Sequence, residues 1–358
     1  MKDRLLFITS NSFSKGKNGG AICSERNYTA LNQLFETSLY RVEKKSNYKS
    51  FFSILENNFP PLRNRDIDNI IKQIKNNNIK YIFFDGTIFG KIAKEIACYY
   101  PNVKIISYFH NVEYDYMNVR MKSGLKKSIY KKLVYNSEKL ITKYSNYLIS
   151  LNKRDKKRIK ELYCKDINLI IPITLKDTFT DNIDFFTKSR NNICLIVGSY
   201  KRDMINSIKW YSKNISPYIN AKTLLVGNNL EKIDFDLDQK IELIGSVNKL
   251  NKYYTEASCV VLPITEGAGM KVKTAESLMY AKTIFGTQEA FEGYRLDYSK
   301  IGAVCQSANE FVNSINSFFY DEDHFKFNSN SRKYFKENYS IEASDQLFQI
   351  MKNELEKI

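Results

Sequence analysis

Gly267-Ala268-Gly269-Met270-Lys271-Val272-Lys273-Thr274-Ala275-Glu276-Ser277 sets two glycines, two lysines and an acid within eleven residues. It follows Cys259-Val260-Val261-Leu262-Pro263, an apolar, β-branched run of strand length, and leads into residues 274–281, where apolar side chains recur at helical spacing. The order is strand, glycine loop, helix. Two glycines let the backbone turn tightly and bring its N–H groups close to a ligand. The start of the helix adds partial positive charge, and Lys271 and Lys273 add full charges. Such a corner suits a phosphate or diphosphate. Glu276, one turn into the helix, is placed to accept hydrogen bonds from hydroxyls such as those of a ribose. Taken alone, a glycine turn between strand and helix is also an ordinary tight connection.

Working outward, strand-like runs start at Leu5, Leu39, Tyr81, Lys104, Tyr147 and Asn168, and then at Ile193, Thr223, Ile241, Cys259, Thr283 and Ala303. Helical stretches separate them. Strand and helix alternating through both halves predict an α/β protein with two doubly wound parallel sheets. At 358 residues the chain is long enough for two separate cores. Each half opens with a strand and a small-residue loop, Gly19-Gly20 in the first and Gly198-Ser199 in the second. The first loop precedes a helix expected to begin near Ser24, and the second runs on into Lys201 and Arg202, which could add to a diphosphate site. Arg202 reads equally well as a surface residue. Residues 173–192 are polar and irregular and form the expected linker.

The order from Gly245-Ser246-Val247 through the glycine loop to Gly286-Thr287 and Glu292-Gly293-Tyr294 resembles the donor-binding half of GT-B glycosyltransferases of the family 4 type, which build bacterial surface polysaccharides. The resemblance implies two Rossmann-like domains facing a cleft. Residues 1–172 would be the acceptor side, residues 193–335 would bind the nucleotide-sugar, and residues 336–358 would cross back to the first domain. It implies a retaining, metal-independent transfer from a nucleotide-sugar, UDP-sugar by family weight, to a lipid-linked saccharide acceptor. Gly267, Gly269, Met270, Lys271, Val272, Lys273 and Glu276 would hold the donor with Gly198, Ser199, Lys201 and Arg202. No metal and no other cofactor is implied.

In the same pattern a histidine at a strand end of the first domain faces the donor sugar, and His110, in Tyr108-Phe109-His110-Asn111-Val112-Glu113, takes that place as the catalytic candidate. The alternative is a packed histidine that orders its loop. Asn111 and Glu113 are second-rank candidates for acceptor contacts, and Gly19 and Gly20 for an acceptor or diphosphate loop. One departure stands out: a Glu-x7-Glu pair ending at Glu276 would need its first acid at position 268, which is Ala268. The competing enzyme reading is a sugar-nucleotide epimerase of the same fold. A catalytically silent partner or a basic binding protein is the reading outside catalysis.

Charge is unevenly spread. The net charge of +16 divides into +17 for residues 1–172 and −1 for the remainder. Lys122, Lys126, Lys127, Lys131, Lys132, Lys139 and Lys143 alternate with Leu125, Ile129, Tyr130, Leu133, Val134, Leu140 and Ile141. The pattern predicts an amphipathic basic helix pair suited to an anionic membrane surface, or else a solvated helix face. Aromatic residues are dispersed among the strands and no nucleic-acid recognition motif occurs, so nucleic acid is not expected as a partner.

No run reaches the roughly 18 apolar residues of a membrane span, and the first strand is too short for a signal-peptide core. A cytoplasmic location at the inner face of the plasma membrane is therefore expected. Six scattered cysteines without a C-x-x-C pair read as reduced thiols. Asp234-Phe235-Asp236-Leu237-Asp238 imitates a metal-binding Asp-x-Asp but reads as a solvated loop. Asp85-Gly86-Thr87 reads as a turn or as part of the acceptor site, and His324 as surface.

Overall fold

The computed structural model describes residues 2–11, 13, 19–43, 54, 56, 58, 62–121, 123–179, 192–267, 269–320 and 327–358. Ser14 to Asn18 of the first glycine loop, Lys122, residues 180–191 of the expected linker, Ala268 and His324 lie outside them. The chain divides into two compact units, Met1–Thr174 with Ile341–Ile358, and Leu175–Ser340.

The first unit holds six parallel strands, β1 (Arg4–Thr9), β2 (Glu36–Arg41), β3 (Tyr81–Asp85), β4 (Lys104–Phe109), β5 (Tyr147–Ser150) and β6 (Leu169–Ile170), in the order β2-β1-β3-β4-β5-β6. A parallel sheet is covered by helices on both faces, so its central strands must be apolar throughout. Leu5–Ile8, Tyr81–Phe84 and Ile105–Phe109 meet that demand, and all but one of these residues are apolar. Polar side chains enter at the carboxyl ends, where Thr9 and Asp85 are buried. Strand order reverses between β1 and β3, so those ends border the crevice where open sheets of this kind bind ligands. The helix Ile341–Leu355 belongs to this unit and buries Phe348, Met351 and Leu355, with Arg26 of helix Gly19–Leu34 over the Phe348 ring at 5.6 Å.

The second unit holds β7 (Ile193–Ser199), β8 (Lys222–Asn228), β9 (Ile241–Gly245), β10 (Cys259–Leu262), β11 (Thr283–Gly286) and β12 (Gly302–Val304), in the order β12-β11-β10-β7-β8-β9. All pairings are parallel. Here the order reverses between β10 and β7, paired through Cys259 and Cys194. Ile196, Leu225, Val261 and Phe285 from the strands pack with Ile208, Phe311 and Ile315 from the helices in one core.

Three local expectations are corrected. β2 starts at Glu36, not Leu39, because it pairs with β1 from Arg4 onward. It is an edge strand with mostly exposed residues, so its first half needs no apolar pattern. The first helix starts at Gly19, so Gly19 and Gly20 are its opening residues and not part of a loop. The basic segment is one uninterrupted helix, Leu125–Tyr144, and not a pair. No glycine or proline breaks it, and Ser137 in its middle donates to Thr87 O at 2.6 Å. Lys126, Lys132, Lys139 and Lys143 are exposed along one face with Leu125 and Ile129. Lys127 and Lys131 instead reach Asn118, and Lys131 lies over the Tyr114 ring at 4.4 Å. Among the described residues no helix is long and apolar enough to cross a membrane.

Candidate functional site

The corner in the second unit sits at the carboxyl end of β10, where that sheet reverses. Gly269 has φ +63°, a left-handed conformation that strains any residue with a Cβ. Gly267 leaves room for a neighbouring side chain. A Cβ there would stand 2.7 Å from Lys271 Cε and 3.3 Å from Glu289 Oε1. Met270 is buried, and the helix begins at Val272. In its first turn the Thr274 N–H donates to Lys271 O, and the Ala275 N–H to the Tyr294 hydroxyl at 3.2 Å. Among the described residues no acceptor meets the N–H of Val272 or Lys273.

The segment after β11 braces this corner. The Thr287 N–H donates to Leu262 O, the Thr274 hydroxyl to Ala290 O at 2.6 Å, and the Tyr294 hydroxyl to Lys271 O at 2.7 Å. The Lys271 ammonium turns back onto its own loop, donating to Gly269 O at 2.8 Å and pairing with Glu289 at 2.6 Å. Lys273 points elsewhere, with Met204 Sδ at 3.4 Å. Burial pulls its pKa down to about 8, against the attraction of Glu276 and Asp203 and with the repulsion of Lys201 and Lys271. Three lysines are thus gathered at one corner. Glu276 is partly exposed, and the buried Tyr254 hydroxyl donates to it at 3.4 Å while the Tyr254 ring stacks on Tyr280.

Gly198 and Ser199 end β7, and the Lys201 N–H folds back to Ser199 O at 2.7 Å. Arg202 opens the next helix and is exposed. Asp234 and Asp236 are exposed, whereas Asp238 accepts from the Ser216 hydroxyl at 2.7 Å and from the Lys240 N–H.

In the first unit, His110 follows β4 and its Nε2 lies 2.9 Å from Asp85 Oδ1. Asp85 is neither a turn residue nor a surface one. It ends β3, is fully enclosed, and also accepts from Asn27 at 3.0 Å and from the Thr9 hydroxyl at 2.8 Å. Burial works against the Asp85 carboxylate, but His110 together with the Ser24 and Asn27 donors overcomes it and the net shift is downward. Burial likewise works against a charged His110, and Asp85 together with Cys23 overcomes it, raising the imidazole to about 10. Asn111 reaches Glu113 only at 3.5 Å. The Glu113 and Tyr114 N–H groups donate to Glu138, a buried acid that also accepts from the Tyr163 hydroxyl at 2.7 Å. Burial pushes Glu138 up to about 8. Gly20 O accepts from the Ser24 hydroxyl at 2.9 Å.

Residues 191–321 match the family profile described as glycosyl transferases group 1, a span that includes the whole corner. By sequence the chain matches no curated protein. By structure it is similar to sucrose-phosphate synthase from Thermosynechococcus elongatus, at 12% identity over 99% of each chain with TM-score 0.74. It is also similar to the apo form of the lipopolysaccharide outer core galactosyltransferase WaaB, at 11% identity over 97% of this chain and 98% of that one, TM-score 0.65. HepE of Anabaena in complex with UDP aligns at 11% identity over 98% of this chain and 100% of its own, TM-score 0.65.

The fold is that of the GT-B glycosyltransferases.

Within this GT-B fold, the structure gathers Lys201, Lys271, Lys273 and Glu276 in one unit and His110 with Asp85 in the other. The residues that the sequence does not single out are Glu289, Tyr254 and Tyr294 at the corner and Glu138, which accepts from the Glu113 and Tyr114 N–H groups, whereas Asp85 stands open in the sequence between a turn and the acceptor site. Tyr294 had a signal, since it closes the Glu292-Gly293-Tyr294 segment of the resemblance. Glu289 had none beyond being an acid shortly after a strand.

Proposed function

We propose that the chain is a glycosyltransferase taking a sugar from a nucleotide-sugar, with a UDP-sugar the leading donor class. The observation that carries this reading is the lysine-rich corner at the switch point of the second unit. Two helix N–H groups without acceptors among the described residues face it, and three ammonium groups crowd it. Cations placed so that burial disfavours them are stabilised when a diphosphate arrives. The same charges stabilise the diphosphate as it leaves, where negative charge grows in the transition state. Support comes from the group 1 profile over this segment, and from solved proteins of the same fold whose structures hold UDP.

In this reading the Gly267 to Lys273 backbone, with Lys273 and Lys201, holds the diphosphate. Gly198, Ser199 and Arg202 border it, Met270 and Val272 fix the loop, and Glu276 takes the ribose hydroxyls. Lys271 is held by Glu289 and shapes the loop. His110 is the catalytic candidate of the first unit, with Asn111, Glu113, Gly19 and Gly20 nearer the acceptor. Retention of configuration, transfer without metal, a family 4 affiliation and a lipid-linked saccharide acceptor complete the proposal. The exposed face of Leu125, Lys126, Ile129, Lys132, Lys139 and Lys143 would seat the protein on an anionic cytoplasmic membrane surface.

Calorimetry and thermal shift against UDP, GDP, ADP and CMP without added metal test the donor site. Tight binding of one nucleoside diphosphate, weakened by Glu276→Ala, is the expected result. No binding by any of them at millimolar concentration would remove the donor assignment.

A further inference from the structure

Asp85 is an acid whose side chain is closed off from solvent. Two of the groups that donate to it, the Asn27 amide and the Thr9 hydroxyl, are neutral. A buried carboxylate needs a compensating cation to persist. Arg26, on the same helix as Asn27, is engaged elsewhere: its guanidinium donates to Pro172 O at 3.0 Å, to the Thr174 hydroxyl at 2.8 Å and to the Tyr108 hydroxyl at 2.9 Å. Among the described residues, the ionisable base in contact with Asp85 is His110.

The geometry also separates the two ring nitrogens. Nε2 faces Asp85, while Nδ1 is shielded from solvent and meets no nitrogen or oxygen partner among the described residues, the Cys23 thiol being the other side chain that interacts with the ring. The Tyr108 ring packs edge-on against the imidazole at 4.9 Å and prevents it from swinging away.

We infer that Asp85 is a positioning residue that holds His110 as an imidazolium, with Nε2–H committed to Asp85 and the second proton kept on Nδ1. His110 is then a fixed cation and not a general base, because both ring nitrogens already carry protons. That this cation serves a glycosyl substrate rests on the function proposed above; the charge state does not. The groups facing the ring are Asp85 from β3, Tyr108 from β4, and Cys23 from helix Gly19–Leu34, with Arg26 of that helix one hydrogen bond away through Tyr108. Asp85 favours the cation, Arg26 opposes it, and direct contact gives Asp85 the larger influence.

The chain has two histidines, so His324→Gln leaves His110 as the single reporter. Nitrogen-15 spectra of histidine-labelled H324Q protein are followed from pH 5.5 to 9. Protonation of both ring nitrogens throughout that range is expected. In the D85N/H324Q protein the titration should fall by at least about two pH units, since burial then acts without its compensating charge. A neutral tautomer at pH 7.5, or a midpoint near 6.5 with Asp85 in place, would overturn the inference. An unaltered titration in the D85N/H324Q protein would do the same. If that protein does not fold, the H324Q titration decides alone. Calorimetry with UDP on the same H324Q sample separates the two readings. An imidazolium with no nucleotide binding retains this inference and removes the donor site, and the reverse result does the opposite.

Discussion

The two charged clusters of this molecule follow opposite rules. At Asp85 and His110 each charge meets its counter-charge, and neutral donors fill the remaining acceptor positions. At the corner of the second unit Lys201, Lys271 and Lys273 stand among Glu276, Asp203 and Glu289, yet burial still pulls Lys273 down to about 8. A cluster whose charges are comfortable stabilises the fold and fixes geometry. A cation whose burial outweighs its counter-charges stores an affinity for a further anion. The two rules make different forecasts when a charge is removed.

The largest effect is expected at Lys273. Lys273→Ala should weaken nucleoside diphosphate binding about 100-fold or more, the scale set by deleting a charge-assisted hydrogen bond from a partly buried site. Its stability should hold or rise, since an uncomfortable charge has gone. Calorimetry and urea unfolding read both quantities. A stable variant with unaltered affinity would show that the buried Lys273 charge does not serve an anion.

Next comes the opposite case, Glu138. Its removal leaves the N–H groups of Glu113 and Tyr114 and the Tyr163 hydroxyl without their acceptor. Glu138→Ala should cost about 3 kcal/mol of stability, from several buried donors left unpaired together. Nucleotide affinity should stay within about twofold. Urea midpoints measure the first and calorimetry the second. Loss of affinity without loss of stability would reverse the contrast between the clusters.

These pairs also mark what the sequence could disclose. All twelve strand starts lay within three residues of where apolar runs begin, because buried parallel strands must be apolar on both faces. The corner was legible because its chemistry is local: glycines, lysines and a helix start fall within eleven residues. The Asp85–His110 pair was not, because it joins residues 25 apart. Only the β3–β4 register, which sets Asp85 opposite Tyr108, brings His110 within reach. In one dimension Asp85-Gly86-Thr87 has the composition of a turn. Glu289 was hidden in the same way, since the pairing of Gly286 with Leu262 carries it back beside Lys271. The helix face was half legible. Spacing revealed a basic amphipathic segment, while the turning of Lys127 and Lys131 toward Asn118 depends on the preceding helix.

The third effect is one of pH. Below about pH 7.5 Lys273 is charged, and a diphosphate finds its cation in place. Above 8 binding must first recruit a proton, so affinity should fall by up to about tenfold per pH unit. The sign for stability is opposite. Because the folded pKa is depressed to about 8 from the ordinary lysine value, this group's penalty on the ligand-free fold is relieved as pH rises from 8 toward the unfolded value. Calorimetry at pH 8.5 in buffers of different ionisation heat should register proton uptake on binding, and Lys273→Arg should abolish it. A flat affinity from pH 7 to 9.5 would place the depressed group away from the ligand.

The smallest effect tests whether Lys271, paired with Glu289, serves the loop or the ligand. Gly267→Ala places a methyl 2.7 Å from Lys271 Cε and 3.0 Å from its Nζ. Those atoms are the far end of a flexible side chain, so the lysine moves aside at a cost below about 1 kcal/mol. Moving it breaks the pair with Glu289, which is partly exposed and worth about 1 kcal/mol or less. If Lys271 only shapes the loop, the substitution leaves stability nearly unaltered and nucleotide affinity unaltered or slightly reduced. If Lys271 is instead a phosphate ligand restrained by Glu289, releasing it strengthens binding, and Glu289→Gln strengthens it in the same way. Measuring both variants against Lys273→Ala therefore separates a lysine that serves the loop from one that serves the ligand.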